Sequence, residues 1–291
     1  MLFLSGASGK TGQAILRALA ERGEAARVLV HREMTLPGAA EVVVGDLRDE
    51  ATVRAAMRGA RAVYHICPNV NPEEQSIGAL VIGAARAEGV EHFVFHSVLH
   101  PQAEAMPHHW SKMRVEEVLF ESGLPFTILQ PTAYMQNLLA GWTRLMNEGI
   151  LRQPYPVETR ISLVDLEDVA EAAAIVLTEP GHAGATYELV GMPALSQSEV
   201  AETLGRALGR AVRAEAESVE AWEARATAMG EYQRQTLIQM FRYYAAHGLS
   251  GNPNALGWLL GRAPATLAEF AERTIAGEDA PRRRKPRYCE G

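Results

Sequence analysis

The chain has 291 residues, of which 47% are hydrophobic, and a formal net charge of −7 at pH 7. This composition suffices for one large α/β domain with an appended lobe, and the acidic balance argues against a nucleic-acid-binding protein, which needs a basic face. With two cysteines and no apolar run long enough to span a membrane, the sequence predicts a cytoplasmic protein rather than a disulfide-rich or membrane protein.

The first predicted strand, residues 1–5, leads into a loop with the sequence G-A-S-G-K-T-G at residues 6–12, and a helical pattern follows. Glycine permits a tight turn and the close approach of a ligand, and the free N–H groups of the next helix face an anion. The spacing is a variant of the dinucleotide fingerprint, so we expect a bound dinucleotide. The expected contact residues are Gly6, Ser8, Gly9, Lys10, Thr11 and Gly12. A glycine turn without a ligand is the alternative.

A triphosphate-binding loop is a rival interpretation of the same residues. Gly9-Lys10-Thr11 resembles the end of such a loop, and the strand at residues 41–44 leads to Asp46, a residue type that binds magnesium. The motif needs a glycine five positions before Gly9, where Leu4 stands inside the strand. The spacing therefore excludes this interpretation, and we expect no metal.

The second predicted strand, residues 27–30, ends in His31-Arg32. In dinucleotide folds the residue after this strand meets the adenosine ribose, where an acid favours NAD and an Arg accommodates the 2′-phosphate of NADP. The sequence therefore predicts NADP at His31 and Arg32, with NAD possible and a solvated Arg as the alternative. After the third strand we expect Asp46 and Leu47 near the cofactor, although Asp46 could equally cap the turn.

The fourth and fifth predicted strands, residues 60–66 and 93–96, flank a helix at residues 72–87. Ligands sit at the carboxyl ends of parallel strands, which places Cys67 and Pro68 at the cofactor. Five strands that alternate with helices within 100 residues predict a Rossmann-type, doubly wound parallel sheet with right-handed crossovers.

The rest of the chain is predicted to be mostly helical and to supply a smaller substrate lobe. The further predicted elements are a helix at 133–146, an extended piece at 161–164, a helix at 165–177 with Asp165 and Asp168 as cap and first-turn acids, a strand at 186–190, and helices at 196–208, 219–229, 231–247 and 266–276. The expected dinucleotide-binding domain comprises residues 1–149 and 161–180. The expected lobe comprises residues 150–160 and 181–280, and residues 281–291 are expected to form a flexible tail.

Motifs spread over most of the chain match one known family. They are the glycine loop, Arg32, Gly45-Asp46-Leu47, His96-Ser97-Val98, Lys112 with Val115-Glu116, the run from Ser122 to Pro131, Gln136-Asn137 and the run from Leu260 to Pro264. Together they resemble the NmrA-like group of atypical short-chain dehydrogenase/reductases. The resemblance implies an NAD(P)-binding Rossmann domain with a small C-terminal lobe over the substrate, and the group includes both reductases and cofactor sensors.

The wider superfamily implied by this resemblance places an active-site Ser on the fifth strand and a Tyr-x-x-x-Lys on the next helix. Ser97 and Lys112 match the Ser and Lys positions, but His108 stands where Tyr is expected. Because residues four apart share a helix face, His108 and Lys112 can approach one ligand, where His can donate a proton and Lys can bind the nicotinamide ribose. The expected catalytic residues are Ser97, His108 and Lys112, and Lys112 and Pro131 are also expected at the cofactor. A helix-surface lysine and histidines without a role are the alternatives.

The sequence thus predicts an NADP-dependent reductase that transfers a hydride to a small carbonyl, quinone or activated alkene. The expected pocket residues are His109, Trp110, Tyr134, Asn137 and Trp142, which favour an apolar or aromatic substrate. The alternative is a non-catalytic NAD(P)-binding redox sensor. We expect no nucleic-acid or membrane partner. The sequence is compatible with a homo-oligomer and does not determine the oligomeric state.

Overall fold

The computed structural model describes residues 1–277, in which strands and helices alternate from the first residues onward. The strands are β1 (Leu2–Ser5), β2 (Ala26–Val30), β3 (Ala39–Val44), β4 (Ala62–His65), β5 (His92–His96), β6 (Phe126–Pro131), β7 (Ala133–Tyr134), β8 (Ile150–Gln153), β9 (Leu163–Val164), β10 (Ala185–Leu189) and β11 (Arg213–Ala216). The helices are α1 (Lys10–Glu21), α2 (Glu50–Met57), α3 (Glu74–Ala87), α4 (Pro107–Glu121), α5 (Trp142–Glu148), α6 (Leu166–Thr178), α7 (Gln197–Leu208), α8 (Val219–Arg225), α9 (Glu231–His247), α10 (Asn254–Leu260) and α11 (Leu267–Ala276).

Seven of the strands form one sheet in the order β10-β6-β5-β4-β1-β2-β3, and all their pairings are parallel. From β3 to β6 this is the strand order of a doubly wound fold, so the predicted fold class is confirmed. The order reverses between β1 and β4. The carboxyl ends of these two strands therefore border the crevice in which such folds bind their ligands.

Helices cover both faces of the sheet, which explains why its central strands are buried along almost their whole length and are largely apolar. In β1, Leu2 and Leu4 enter the core beneath α1 and α6, whereas Phe3 enters the core beneath α2, α3 and α4. This alternation follows from the two-residue period of a strand. The sheet is thus a rigid platform that fixes the positions of the loops at its edge.

A third core lies in the C-terminal part of the chain, where α7 packs against α11 and β8 pairs with β11. Ser196 caps α7 through a reciprocal pair with Glu199, and Asp165 caps α6 by accepting from the N–H of Glu167. Strand β10 lies in the range assigned from sequence to the lobe, yet it pairs with β6 at the edge of the central sheet. Strands β8 and β11 and helix α10 were not predicted from the sequence.

The predicted continuous helix at residues 133–146 is wrong. Ala133 and Tyr134 pair with β9 as the short strand β7, residues Met135–Gly141 form a 3₁₀ helix, and α5 begins only after Gly141. The backbone of β7 finds its hydrogen-bond partners in another strand, which overrides the helical pattern of the side chains. The predicted tail, residues 281–291, lies outside the described residues. Across residues 1–277, every helix falls short of the length and hydrophobicity needed to cross a membrane.

Candidate functional site

The glycine-rich loop joins β1 to α1, and its three glycines serve different needs. Gly6 has a φ of +68°, and an added Cβ there would lie 2.6 Å from the carbonyl oxygen of Ile66. A Cβ on Gly12 would lie 2.3 Å from the carbonyl oxygen of Gly6. A Cβ on Gly9 would meet only that same oxygen, at 3.4 Å. Gly6 and Gly12 are thus required by the turn itself, whereas Gly9 leaves open space above the loop.

The first turn of α1 fits a bound pyrophosphate. Its N-cap residue is Gly9, no side chain caps its N–H groups, and its first turn carries no acid. These free N–H groups and the positive end of the helix attract an anion. Ser8 is partly exposed beside them, Lys10 is exposed and Thr11 is buried. The loop is therefore a cradle that an anionic cofactor can fill.

The end of β2 presents free positive charge next to this cradle. His31 and Arg32 are both exposed, and within residues 1–277 Arg32 has neither a hydrogen bond nor an ion pair. Asp46, by contrast, already binds Arg48, which lowers the pKa of the Asp46 carboxyl to about 2 and closes the turn after β3. Leu47 packs into the core beneath. Of these residues, Arg32 carries a permanent charge that is available to a ligand phosphate.

Two further predicted cofactor contacts lie at strand ends along the crevice. Cys67 follows β4 and is buried, and burial raises the pKa of its thiol, so this cysteine is not a reactive thiolate. Pro68 beside it is exposed. Pro131 ends β6, and its carbonyl accepts from the N–H of Leu99, so this backbone is already engaged.

Lys112 lies on α4 with its ammonium buried beneath the carboxyl end of β5. Its side chain is 5% exposed, and Nζ donates to Oε1 of Glu74 at 2.9 Å and to the carbonyl oxygen of His96 at 3.0 Å. The ring of Phe95 lies 5.3 Å from the same nitrogen. Glu74 is more deeply buried still, and its Oε2 has no hydrogen-bond partner among the described residues. The lysine is therefore held by an ion pair that the sequence analysis missed.

A row of neutral polar side chains runs beside this ion pair. The ring of His96 lies between the hydroxyl groups of Tyr64, at 2.5 Å, and Tyr134, at 2.7 Å. The hydroxyl of Ser5 lies 2.8 Å from Nδ1 of His65. Burial, reinforced by the charge of Lys112, lowers the pKa of both histidines to about 3. Both rings are thus neutral at pH 7, and Lys112 is the cation of this region.

Ser97 does not share a partner with Lys112. Its hydroxyl is buried and donates to Oε1 of Glu116, which also accepts from Nε2 of Gln130 at 2.9 Å. Burial raises the pKa of the Glu116 carboxyl. The two residues that match the superfamily pattern therefore belong to different hydrogen-bond networks, one around Glu74 and one around Glu116.

The histidine pair at the start of α4 is also neutral. Burial, followed by the charge of Lys112, lowers the pKa of His108 well below its usual value. His109 is completely buried, and burial lowers its pKa to about 4. Neither ring is an imidazolium at pH 7. A neutral His108 can still donate a hydrogen bond, but it is a weak acid.

The five predicted pocket residues lie in different surroundings. His109 is buried, the hydroxyl of Tyr134 is bound to His96, and Trp110 and Trp142 are partly buried. Asn137 lines a cavity of about 170 Å³ between residues 137–154 and the helices α7, α8 and α9. Other residues around this cavity include Leu138, Arg144, Arg152, Trp222 and Phe241.

Sequence reasoning missed Glu74, His65 and Tyr64 as members of the site. Glu74 stands beside Glu73 at the start of a predicted helix, where acids are ordinary. His65 and Tyr64 lie inside a strand. Only the tertiary contacts distinguish these three residues from ordinary solvated or core residues. His96, which contacts Tyr64 and Lys112, was part of a family motif.

Comparisons with known proteins agree with this architecture. The model of the NmrA-like family matches residues 2–275. The NAD(P)H azoreductase of Xenophilus azovorans is 32% identical over 285 residues, covering 95% of this chain and 98% of that protein. The (4-alkanoyl-5-oxo-2,5-dihydrofuran-3-yl)methyl phosphate reductase of Streptomyces griseus is 32% identical over 239 residues, covering 80% of this chain and 82% of that protein. The crystal structure of an NADPH-dependent quinone oxidoreductase from Escherichia coli superposes with a TM-score of 0.82 and 25% identity, covering 94% of this chain and all of that one.

Proposed function

The chain belongs to the NmrA-like family, as its motifs predict, and we propose that it is an NADPH-dependent reductase. The observation that carries the proposal is the open cradle above Gly9, which lies on the same crevice as the unpaired Arg32 and the buried Lys112. Relatives named as azoreductase, quinone oxidoreductase and acyl-dihydrofuranone reductase support a reductase.

The substrate we propose is a small molecule with an electron-poor double bond, such as a carbonyl, quinone or activated alkene. An azo group, a quinone and an alkanoyl-dihydrofuranone differ in their reacting atoms but each contains a conjugated double bond that can accept a hydride. The partly buried rings of Trp110 and Trp142 favour an apolar or aromatic molecule.

The cofactor contacts follow from the free groups at the strand ends. The N–H groups of the first turn of α1 suit the pyrophosphate, and the exposed cations Lys10 and Arg32 suit the 2′-phosphate that distinguishes NADPH from NADH. When bound, NADPH supplies the hydride. The open space above Gly9 allows the diphosphate to approach the backbone without displacing a side chain.

We assign to Lys112 the binding of the ribose or of the reduced substrate. An ammonium has three donors, and within the described residues two of these have partners. The third donor is available to a ribose hydroxyl or to the negative charge that develops on the reduced substrate. Because the rings of His96, His108 and His109 are neutral, the proton that completes reduction comes from this ammonium or from water rather than from an imidazolium.

The proposal is tested with the purified protein, NADPH, and a panel of a quinone, an azo compound, an aldehyde and a conjugated enone. We expect NADPH oxidation well above the enzyme-free blank with at least one member, and no oxidation by the Gly9→Val variant. Tight NADPH binding with oxidation equal to the blank across the panel would contradict the reductase and favour the cofactor sensor.

A further inference from the structure

We propose that Glu74 is a positioning residue that keeps the ammonium of Lys112 charged and fixes its orientation under the cofactor crevice. This inference rests on the proposed function for its role in catalysis, but not for the ion pair itself. Glu74 is the first residue of α3, and Lys112 lies on α4, so the pair joins two helices through the interior. None of the family motifs in the sequence contains Glu74.

The surroundings of Lys112 leave Glu74 as its one anionic contact in the described part of the chain. The neutral rings of His65 and His96 approach from β4 and β5, and that of His108 approaches from α4 itself. His109 and the protonated thiol of Cys67 are also uncharged. Glu116 interacts with Lys112 through its charge, but its oxygens are bound by Ser97 and Gln130 and none of them binds Nζ. A buried ammonium that loses its bound anion loses its proton more easily. Glu74, the one carboxylate hydrogen-bonded to Lys112 in the described residues, is therefore its main anionic support.

The same contact fixes the direction of the ammonium. Glu74 and the carbonyl of His96 accept two of its three N–H groups, at 2.9 and 3.0 Å. Two fixed acceptors stop the rotation of a tetrahedral ammonium, so the third N–H has a single direction. A neutral or rotating amine would not present a fixed donor to a ribose hydroxyl.

The cost of this arrangement points to a role beyond folding. Lys112 and Glu74 are 5% and 1% exposed. Oε2 of Glu74 is buried, and its neighbour is the thiol of Cys67, a weak donor that lies outside hydrogen-bond geometry. A well-packed apolar pair is often at least as stable as a buried ion pair, and a carboxylate oxygen without a strong donor lowers stability further. A purely structural contact between α3 and α4 does not need these charges.

Glu74 also ties Lys112 to the loop that follows β4. That loop runs from Ile66 to Glu73 along the crevice, and Glu74 is its next residue. On its other side, Nε2 of Gln233 in α9 lies 3.4 Å from the carbonyl oxygen of Asn69. The Lys112–Glu74 pair therefore holds one end of the loop beside the cofactor.

The direct test is NMR of the full chain with isotope-labelled lysine, because the sequence contains only Lys10, Lys112 and Lys285. The signal of Lys112 is assigned with Lys112→Met. In Glu74→Gln, which keeps an acceptor but removes the charge, we expect the Lys112 signal to titrate about one pH unit or more below its position in the parent chain. The signals of Lys10 and Lys285 serve as internal references and should not move. An unchanged titration of Lys112 would overturn the proposal.

A second arm measures the NADPH dissociation constant against pH by calorimetry. The affinity of Glu74→Gln should match the parent at low pH and fall by about tenfold above the titration midpoint seen by NMR. Glu74→Asp, which restores the charge, should shift this loss back toward the parent. Glu73→Gln, the exposed neighbour, is the matched control and should behave as the parent. A loss that is equal at every pH would indicate a structural role and contradict the proposal.

If Glu74→Gln does not fold, the proposal is tested by NMR of the parent chain and of Glu74→Asp. In the parent, added NADPH should shift the Lys112 signal, and in Glu74→Asp the titration should lie below that of the parent. A Lys112 signal indifferent to both changes would refute the positioning role. Because the titration needs neither NADPH nor substrate, its outcome is separate from that of the oxidation panel, which tests the reductase.

Discussion

The glycine loop and the Lys112–Glu74 pair lie on the same crevice but are built in opposite ways. The loop is seven consecutive residues that act through backbone N–H groups, and its geometry follows from the spacing of glycines. The pair joins residues 38 positions apart, and the carbonyl that completes it lies 16 positions before Lys112. The first can be read from a short motif, whereas the second exists only after α3, α4 and β5 have packed.

This difference also determines how each region fails. A side chain added at Gly9 blocks a ligand and leaves the protein's own contacts intact. A side chain removed from the pair leaves its partner charged and buried, which costs stability as well as function. Substitutions in the two regions should therefore separate binding, turnover and folding.

The largest effect is expected for Lys112→Met, which removes the ammonium and keeps the length of the side chain. Turnover should fall by roughly 10² to 10⁴-fold, the usual contribution of a positioned acid–base group. Unfolding should become easier by about 3–5 kcal/mol because Glu74 is left unpaired. Denaturant titration of Lys112→Met/Glu74→Gln is the control, since the double variant should regain stability without regaining turnover. Full activity in either variant would contradict the assignment.

Gly9→Val should reduce NADPH affinity by about 100-fold or more, or about 2.7 kcal/mol, without a change in unfolding temperature. The backbone of Gly9, with φ −78° and ψ 165°, suits any residue, and a Cβ there meets open space. Calorimetry and thermal unfolding check both parts. Gly12→Val is the contrast, because its Cβ would collide with the carbonyl of Gly6. We therefore expect Gly12→Val to lower stability.

Arg32→Ala should abolish a preference for NADPH over NADH that we expect to be about tenfold, or 1.4 kcal/mol. Arg32 is exposed after β2 and unpaired within the described residues, so its removal should leave folding unchanged. Titration of both cofactors measures the preference. Arg86→Ala is the matched control, because this exposed arginine ends α3 just before β5, at the opposite ends of the strands from Arg32. Equal affinities for the two cofactors in the parent would contradict the assignment of Arg32 to the 2′-phosphate of NADPH.

Ser97→Ala should change turnover by only a few-fold. The hydroxyl of Ser97 is buried and donates to Glu116, so its loss should cost about 1–3 kcal/mol of stability instead. Steady-state kinetics and denaturant unfolding distinguish these effects. A 100-fold loss of turnover in a stable Ser97→Ala protein would restore the catalytic role that the superfamily pattern implies.

The smallest effect is expected for the pH profile of His108→Gln. Burial holds the pKa of His108 well below 6.5, so the ring is already neutral throughout the range from about pH 6 to 8 and loses no proton there. The profile of turnover should therefore keep its shape in the variant. An inflection near pH 6.5 that is present in the parent and absent from His108→Gln would make His108 the proton donor.

The parts of the fold that depend on local sequence were predictable. The apolar run Leu2-Phe3-Leu4 and the glycines after it predicted the first strand and the loop. Residues 133–146 were misread because Ala133 and Tyr134 find their partners in a distant strand. Glu74 was missed for the same reason: beside Glu73 it has no distinguishing neighbour, and only the approach of α4 buries it. Ser97 was matched by its position, but its position does not reveal that its hydroxyl points to Glu116.

The central claim is that the two regions together support hydride transfer, and deuterium labelling tests it most directly. The protein is mixed with a conjugated enone and NADPH that carries deuterium at the transferable position of the nicotinamide, and the product is examined by mass spectrometry. The account predicts one deuterium on the β-carbon of the product for each NADPH oxidised, with transfer lost in Gly9→Val and slowed in Lys112→Met. A product without deuterium, or NADPH oxidation equal to the enzyme-free blank with every member of the panel, would contradict it.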